Sequence, residues 1–87
     1  MSNVQQKLLD NWYEDVIYLE NYSYDTALIG VSNKNQVVYD YEKMIEWLVE
    51  TQSFSYEEAI EWIDYNTARA LSYMGNNAPI IVYPLMD

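Results

Sequence analysis

Two rows of carboxylates hold most of the chemistry this sequence could perform. Glu42, Glu46 and Glu50 stand at i, i+4 and i+8, and Glu57, Glu61 and Asp64 make a matching stripe at i, i+4 and i+7, with Glu58 beside them. On helices, each row lines the face opposite an apolar stripe. Carboxylates so placed can work as a hydrolytic pair, hold a cation, or dock on a basic surface. The first is disfavoured: 14 acids make chance pairs unavoidable, and 87 residues leave little room for a substrate cleft. With no His, no Cys and no Gly-rich loop, the usual nucleophile–base pairs, zinc sites and phosphate cradles are missing. No EF-hand-type calcium loop is present either. The sequence therefore predicts no enzyme, no metal and no cofactor.

Docking remains. Like charges four residues apart cost a helix a few tenths of a kcal/mol per pair. The helix dipole accounts for the acids nearest a helix start, Glu42, Glu57 and Glu58. It does not account for Glu46, Glu50, Glu61 and Asp64, which points to a basic partner. Net charge agrees, with 14 Asp and Glu against 4 Lys and Arg giving −10. Such a field disfavours direct binding to nucleic acid or an anionic membrane and steers the chain towards basic protein surfaces. A nucleic-acid-binding effector is one such surface, although acidity also serves solubility. Mimicry of a nucleic-acid backbone is only partial. One charge per ~6 Å along a helix row compares with one per ~1.7 Å of duplex axis.

Aromatic residues accompany the acids. Trp47 and Trp62 fall at the flanks of the apolar faces, where an indole can bury its ring and leave its N–H wet. Tyr65, Asn66 and Arg69 could form a small polar recognition site, or Asn66 could simply hydrogen-bond a neighbouring loop. YSYD and VYDY set tyrosines beside Asp25 and Asp40, as edge packing or as a contact patch.

The elements that must position these residues begin with a repeated phrase, YEKMIEWLVE at 41–50 and YEEAIEWIDY at 56–65. Tyr41, Met44, Ile45 and Leu48 share one helical face, and Tyr56, Ala59, Ile60 and Ile63 its equivalent. Periodicity explains this apolar half without invoking duplication. Asp40 can cap the first helix, and Ser55 with Glu58 forms a capping box for the second. Residues 51–54 break the two, and the second helix runs to about Leu71 or Tyr73, stopped by Gly75-Asn76-Asn77. Upstream, Val4, Leu8, Leu9, Trp12, Val16 and Leu19 predict a helix over roughly 4–19. TALIGVS and QVVYD predict a hairpin turning at Asn33-Lys34-Asn35, with Ala27, Ile29 and Val31 on one face. IIVY, between Pro79 and Pro84, predicts a third strand beside the first or second.

The expected fold is one α+β domain spanning 1–87. It has a small, mainly antiparallel three-stranded sheet and about three helices, in the order α-β-β-α-α-β. No apolar run approaches the ~20 residues needed to cross a bilayer, and the start lacks a secretory signal pattern. A cytoplasmic location is the expectation.

The run from DTALIGVS through VYDYEKMIEWLVE, EEAIEWIDYNTARALSYMG and APIIVY resembles a family of small acidic proteins. Such proteins are carried by Gram-positive bacteria, their phages and mobile elements. The resemblance covers about residues 25–83, with EWIDYNTARAL its most specific part. It implies no catalytic residue. A phage setting would imply an inhibitor of host defence, such as an anti-CRISPR protein blocking a basic nucleic-acid channel. A rival expectation is a structural or self-assembling domain that forms a homodimer through its Tyr-rich and aliphatic surface.

Overall fold

The structure, a computed structural model, describes residues 4–11, 13, 15–20 and 22–85. Helix α1 (Val4–Asp10) is followed by an irregular strap and a 3-10 turn (Asp25–Ala27). Strands β1 (Leu28–Val31) and β2 (Val37–Asp40) form the hairpin, which leads directly into α2 (Tyr41–Gln52). A continuous helical rod comes next: α3 (Tyr56–Trp62), a π-helical stretch (Ile63–Thr67) and α4 (Ala68–Leu71). Strand β3 (Ile80–Val82) closes the order. The α+β class and the element order are as expected.

The sheet runs β1-β2-β3 and is mixed, with β1 antiparallel and β3 parallel to central β2. Parallel pairing follows from the connection, because a helical crossover returns the chain to its starting end before β3 is laid down. A side-chain bond helps fix the neighbour: Gln36 Nε2 donates to the Ala78 carbonyl at 3.0 Å, tying the hairpin to the lead-in to β3. The hairpin loop uses the expected asparagine chemistry. Asn35 takes a left-handed φ of 60°, and Ser32 Oγ accepts from the N–H groups of Lys34 and Gln36.

Two expectations are corrected. The face shared by Ala27, Ile29 and Val31 does not form: the register shifts between Leu28 and Gly30, Ala27 is buried in the 3-10 turn, and Ile29 is half exposed. An irregularity of this kind breaks the two-residue alternation. The first helix ends at Asp10, well short of 19. Its last turn is closed locally, with the Asn11 side chain donating to the Lys7 carbonyl at 2.8 Å and the Tyr13 N–H to the Leu8 carbonyl at 2.8 Å. Trp12, expected on that helix, lies outside the described residues.

Beyond this stop the described residues cross the core as a strap without regular structure. Leu19 is buried at its centre, so its backbone N–H needs a partner. The hydroxyl of Tyr39, on β2, accepts it at 3.0 Å. Tyr24, fully buried, enters the 3-10 turn with a left-handed φ of 51°. For a bulky side chain such a backbone costs on the order of 1–3 kcal/mol and persists only where surroundings impose it. Here they do. The Tyr24 ring packs against Tyr39 and Trp47 at centroid distances of 6.4 and 5.4 Å, and its hydroxyl meets Thr67 Oγ1 at 2.7 Å. Met44, Ile45, Leu48, Ala59 and Ile63 supply the helical side of the same core.

Two predictions follow from these buried hydroxyls. Thr67→Val leaves the Tyr24 hydroxyl without its partner and should cost about 1–3 kcal/mol in urea unfolding; adding Tyr24→Phe should recover much of that loss. Burial pushes the Tyr39 phenol up to about 12, well above its ordinary value, and raises Tyr24 as well. Groups whose folded pKa is raised stabilise fully below the unfolded value, and the benefit drains away as pH climbs to the folded one. The fold should therefore lose stability from about pH 10 towards 12. Circular dichroism and tyrosinate absorbance followed together would show unfolding accompany the late-titrating phenols.

Candidate functional site

The twin phrases become neighbouring helices, and their caps are built as the sequence predicts. Asp40 accepts from the Lys43 N–H at 3.0 Å. Ser55 Oγ accepts from the Glu58 N–H, and Glu58 reaches back to the Ser55 N–H at 3.0 Å. That second bond holds the Glu58 carboxyl below its ordinary range. Glu58 is therefore committed to the fold.

The repeated residues pair up across the hairpin. Trp47 and Trp62, equivalent in the phrase, both pack on Tyr22, at 5.8 and 5.3 Å between centroids. Phe54, from the break, completes the cluster 6.0 Å from Trp62. Both indoles are thus spent on packing. The expectation of a wet indole N–H fails at Trp62, whose Nε1 is buried without a hydrogen-bond partner. It sits close enough to the Tyr24 hydroxyl to favour the ionised phenol, but outside bonding geometry.

The equivalent tyrosines also cross. Tyr41 on α2 donates to Asp64 Oδ1, and Tyr56 on α3 donates to Glu42 Oε2, each at 3.3 Å. Tyr41 is pushed up to about 12, first by burial and then by the charge of Asp64. Tyr56 is raised chiefly by the charge of Glu42. Two acids of the rows, Glu42 and Asp64, therefore have a partner inside the chain. Glu46, Glu50, Glu57 and Glu61 are exposed and make neither a hydrogen bond nor an ion pair with the described residues.

Of the remaining candidates, Tyr65 and Arg69 are exposed. Glu61, Trp62, Tyr65 and Asn66 come together around a shallow hollow of about 290 Å³, also lined by Phe54 and Glu58; Arg69 does not join it. No hydrogen bond links Tyr65, Asn66 and Arg69 among the described residues, so the expected polar trio is not assembled. Asn66 also makes none to a loop. The buried polar role falls to the next residue, Thr67. All but Arg69 of that trio lie in the π-helical stretch, an irregularity often found where side chains are re-aimed.

Tyr41 keeps its expected place against the core, whereas Tyr56 is exposed. Sequence reasoning missed Tyr24, Thr67, and the bonds of Tyr41 and Tyr56 to acids of the other helix. The signal for the last was present, since both tyrosines open the repeated phrase next to an acid. A second concavity of about 460 Å³ lies between α1 and β1, lined by Lys7, Leu8, Asn11, Tyr13 and residues 28–31. Among the described residues no group of three or more Asp and Glu is arranged to hold a metal ion, and no helix is long and apolar enough to cross a membrane. Set against family models, curated proteins and solved structures, the chain matches none of them.

Proposed function

We propose that this chain is a non-catalytic acidic binding module that occupies a basic surface of another protein. The observation that carries the reading is the exposure of Glu46 and Glu50 on α2 and of Glu57 and Glu61 on α3, four carboxylates with no partner among the described residues. They stand on two helices whose inner faces are packed into the core. Cationic side chains of a partner would meet these oxygens in charge-assisted hydrogen bonds and would be drawn in by the chain's net charge of −10. The resemblance to small acidic proteins of phages and mobile elements favours one form of this module. In that form it is a cytoplasmic inhibitor of host defence, anti-CRISPR or another kind, that covers a nucleic-acid-binding surface.

Affinity capture from a bacterial host lysate, with duplex DNA as competitor, tests this reading. The expected catch is a basic nucleic-acid-handling protein, released by DNA and by rising salt. Replacing Glu46, Glu50, Glu57 and Glu61 together by Gln should weaken it by tenfold or more, at about 1.4 kcal/mol or more summed over four contacts. Capture unaffected by the four substitutions would overturn the reading. Recovery of the chain alone, as a salt-insensitive homodimer, would replace it with self-assembly.

A further inference from the structure

Three tyrosines gather beside the starts of α2 and α3 and the end of β3: Tyr56 and Tyr83 are exposed, and Tyr41 is partly buried against the core. Tyr83, just past β3, is 66% exposed and lies against Tyr41 at 4.7 Å between ring centroids, with a 45° tilt. Tyr56 is 53% exposed, and its hydroxyl reaches Glu42, the residue next to Tyr41 on α2. Tyrosines gathered in this way, two of them exposed, present ring faces and hydroxyls at little entropic cost, which suits a contact surface.

Charge decides what such a face would hold. Glu42 and Asp64 bond to Tyr56 and Tyr41, and Glu46 raises the Tyr56 phenol through its charge. The two tyrosine–carboxylate bonds are long, at 3.3 Å against the 2.5–2.7 Å usual for a hydroxyl on a carboxylate, so both acids keep most of their accepting capacity. A cation fits beside such oxygens. Between the two common cations, the rings favour the planar one: guanidinium stacks on an aromatic face while forking onto a carboxylate, whereas an ammonium is a hydrated point charge.

We infer that the face made by Tyr41, Tyr56 and Tyr83 seats an arginine side chain of the basic partner, its guanidinium lying against the rings and bonded to Glu42 or Asp64. This rests on the binding-module reading above and adds where, and by which side chain, the partner is held.

Labelled nona-arginine and nona-lysine peptides, titrated by fluorescence anisotropy at fixed moderate salt, separate the two readings. Nona-arginine should bind about fivefold or more tighter than nona-lysine. Tyr83→Leu, which keeps bulk and removes the ring, should bring that ratio close to one, and Tyr83→Phe should preserve it. Tyr56→Ala, at an exposed position, repeats the test should the change at 83 disturb β3. Replacing Glu57 and Glu61 by Gln should weaken both peptides alike and leave the ratio intact. Equal binding of the two peptides, or a ratio that survives both Tyr83→Leu and Tyr56→Ala, would overturn the arginine seat while leaving the acidic-surface reading standing. Failure of both peptides to bind would remove both.

Discussion

The hydrogen bond between Tyr24 and Thr67 is the contact on which the placement of everything else depends. It joins the irregular strap to the helical rod across 43 residues of sequence, at 2.7 Å and away from water. Buried hydroxyls tolerate no vacancy, so each fixes the other. Tyr24 can hold its left-handed backbone only because its ring and hydroxyl are both pinned. Thr67 sits at the end of the π-helical stretch, where the Ala68 N–H reaches back to the Ile63 carbonyl. That longer turn takes up an extra residue, and the bond to Tyr24 sets which side of the rod faces inward afterwards.

With the rod oriented, the orientation of the acids is no longer free. Ala59 and Ile63 face the core, Trp62 enters the cluster on Tyr22, and the opposite side of the rod must then carry Glu57, Glu61 and Tyr65 outward. Met44, Ile45 and Leu48 impose the same on α2, turning Glu46 and Glu50 to solvent. The rows are thus presented by a rigid, fully buried backing. Their mutual repulsion is screened by salt and is small per pair.

What was legible in the sequence was whatever is decided locally. Asp40 and the Ser55–Glu58 box act through bonds to backbone groups within four residues, Asn35 acts through its own left-handed backbone, and all three are where the sequence places them. The helical faces were legible because the apolar spacing repeats. The first helix was misjudged because Val16 and Leu19 keep helical spacing while serving a strap: Leu19 is buried through a bond to Tyr39, 20 residues away. The parallel placement of β3, the register shift in β1 and the inward indole of Trp62 are also set by distant partners, and no pattern within their own segments announces them. For the candidate face, the acids were legible as charge. The division between acids held by tyrosine and acids left free was not, since it depends on how α3 lies on α2.

That division also answers what the repeated phrase is for. Its Tyr position crosses to a carboxylate of the other helix in both copies, Tyr41 to Asp64 and Tyr56 to Glu42. Its Ile and following aliphatic positions pack inward, and its Trp position meets Tyr22 twice over. Each of these roles serves the fold, and amphipathic packing alone would select them. The second Glu of the phrase is different. Glu46 and Glu61 occupy the same place in both copies, both exposed, and neither bonds to any described residue. Helix stability would favour a lysine at such sites, since each faces another acid four residues away, Glu46 to Glu42 and Glu50, Glu61 to Glu57. A charge placed twice against the interest of its own helix is the feature that the proposed contact with a basic partner would account for.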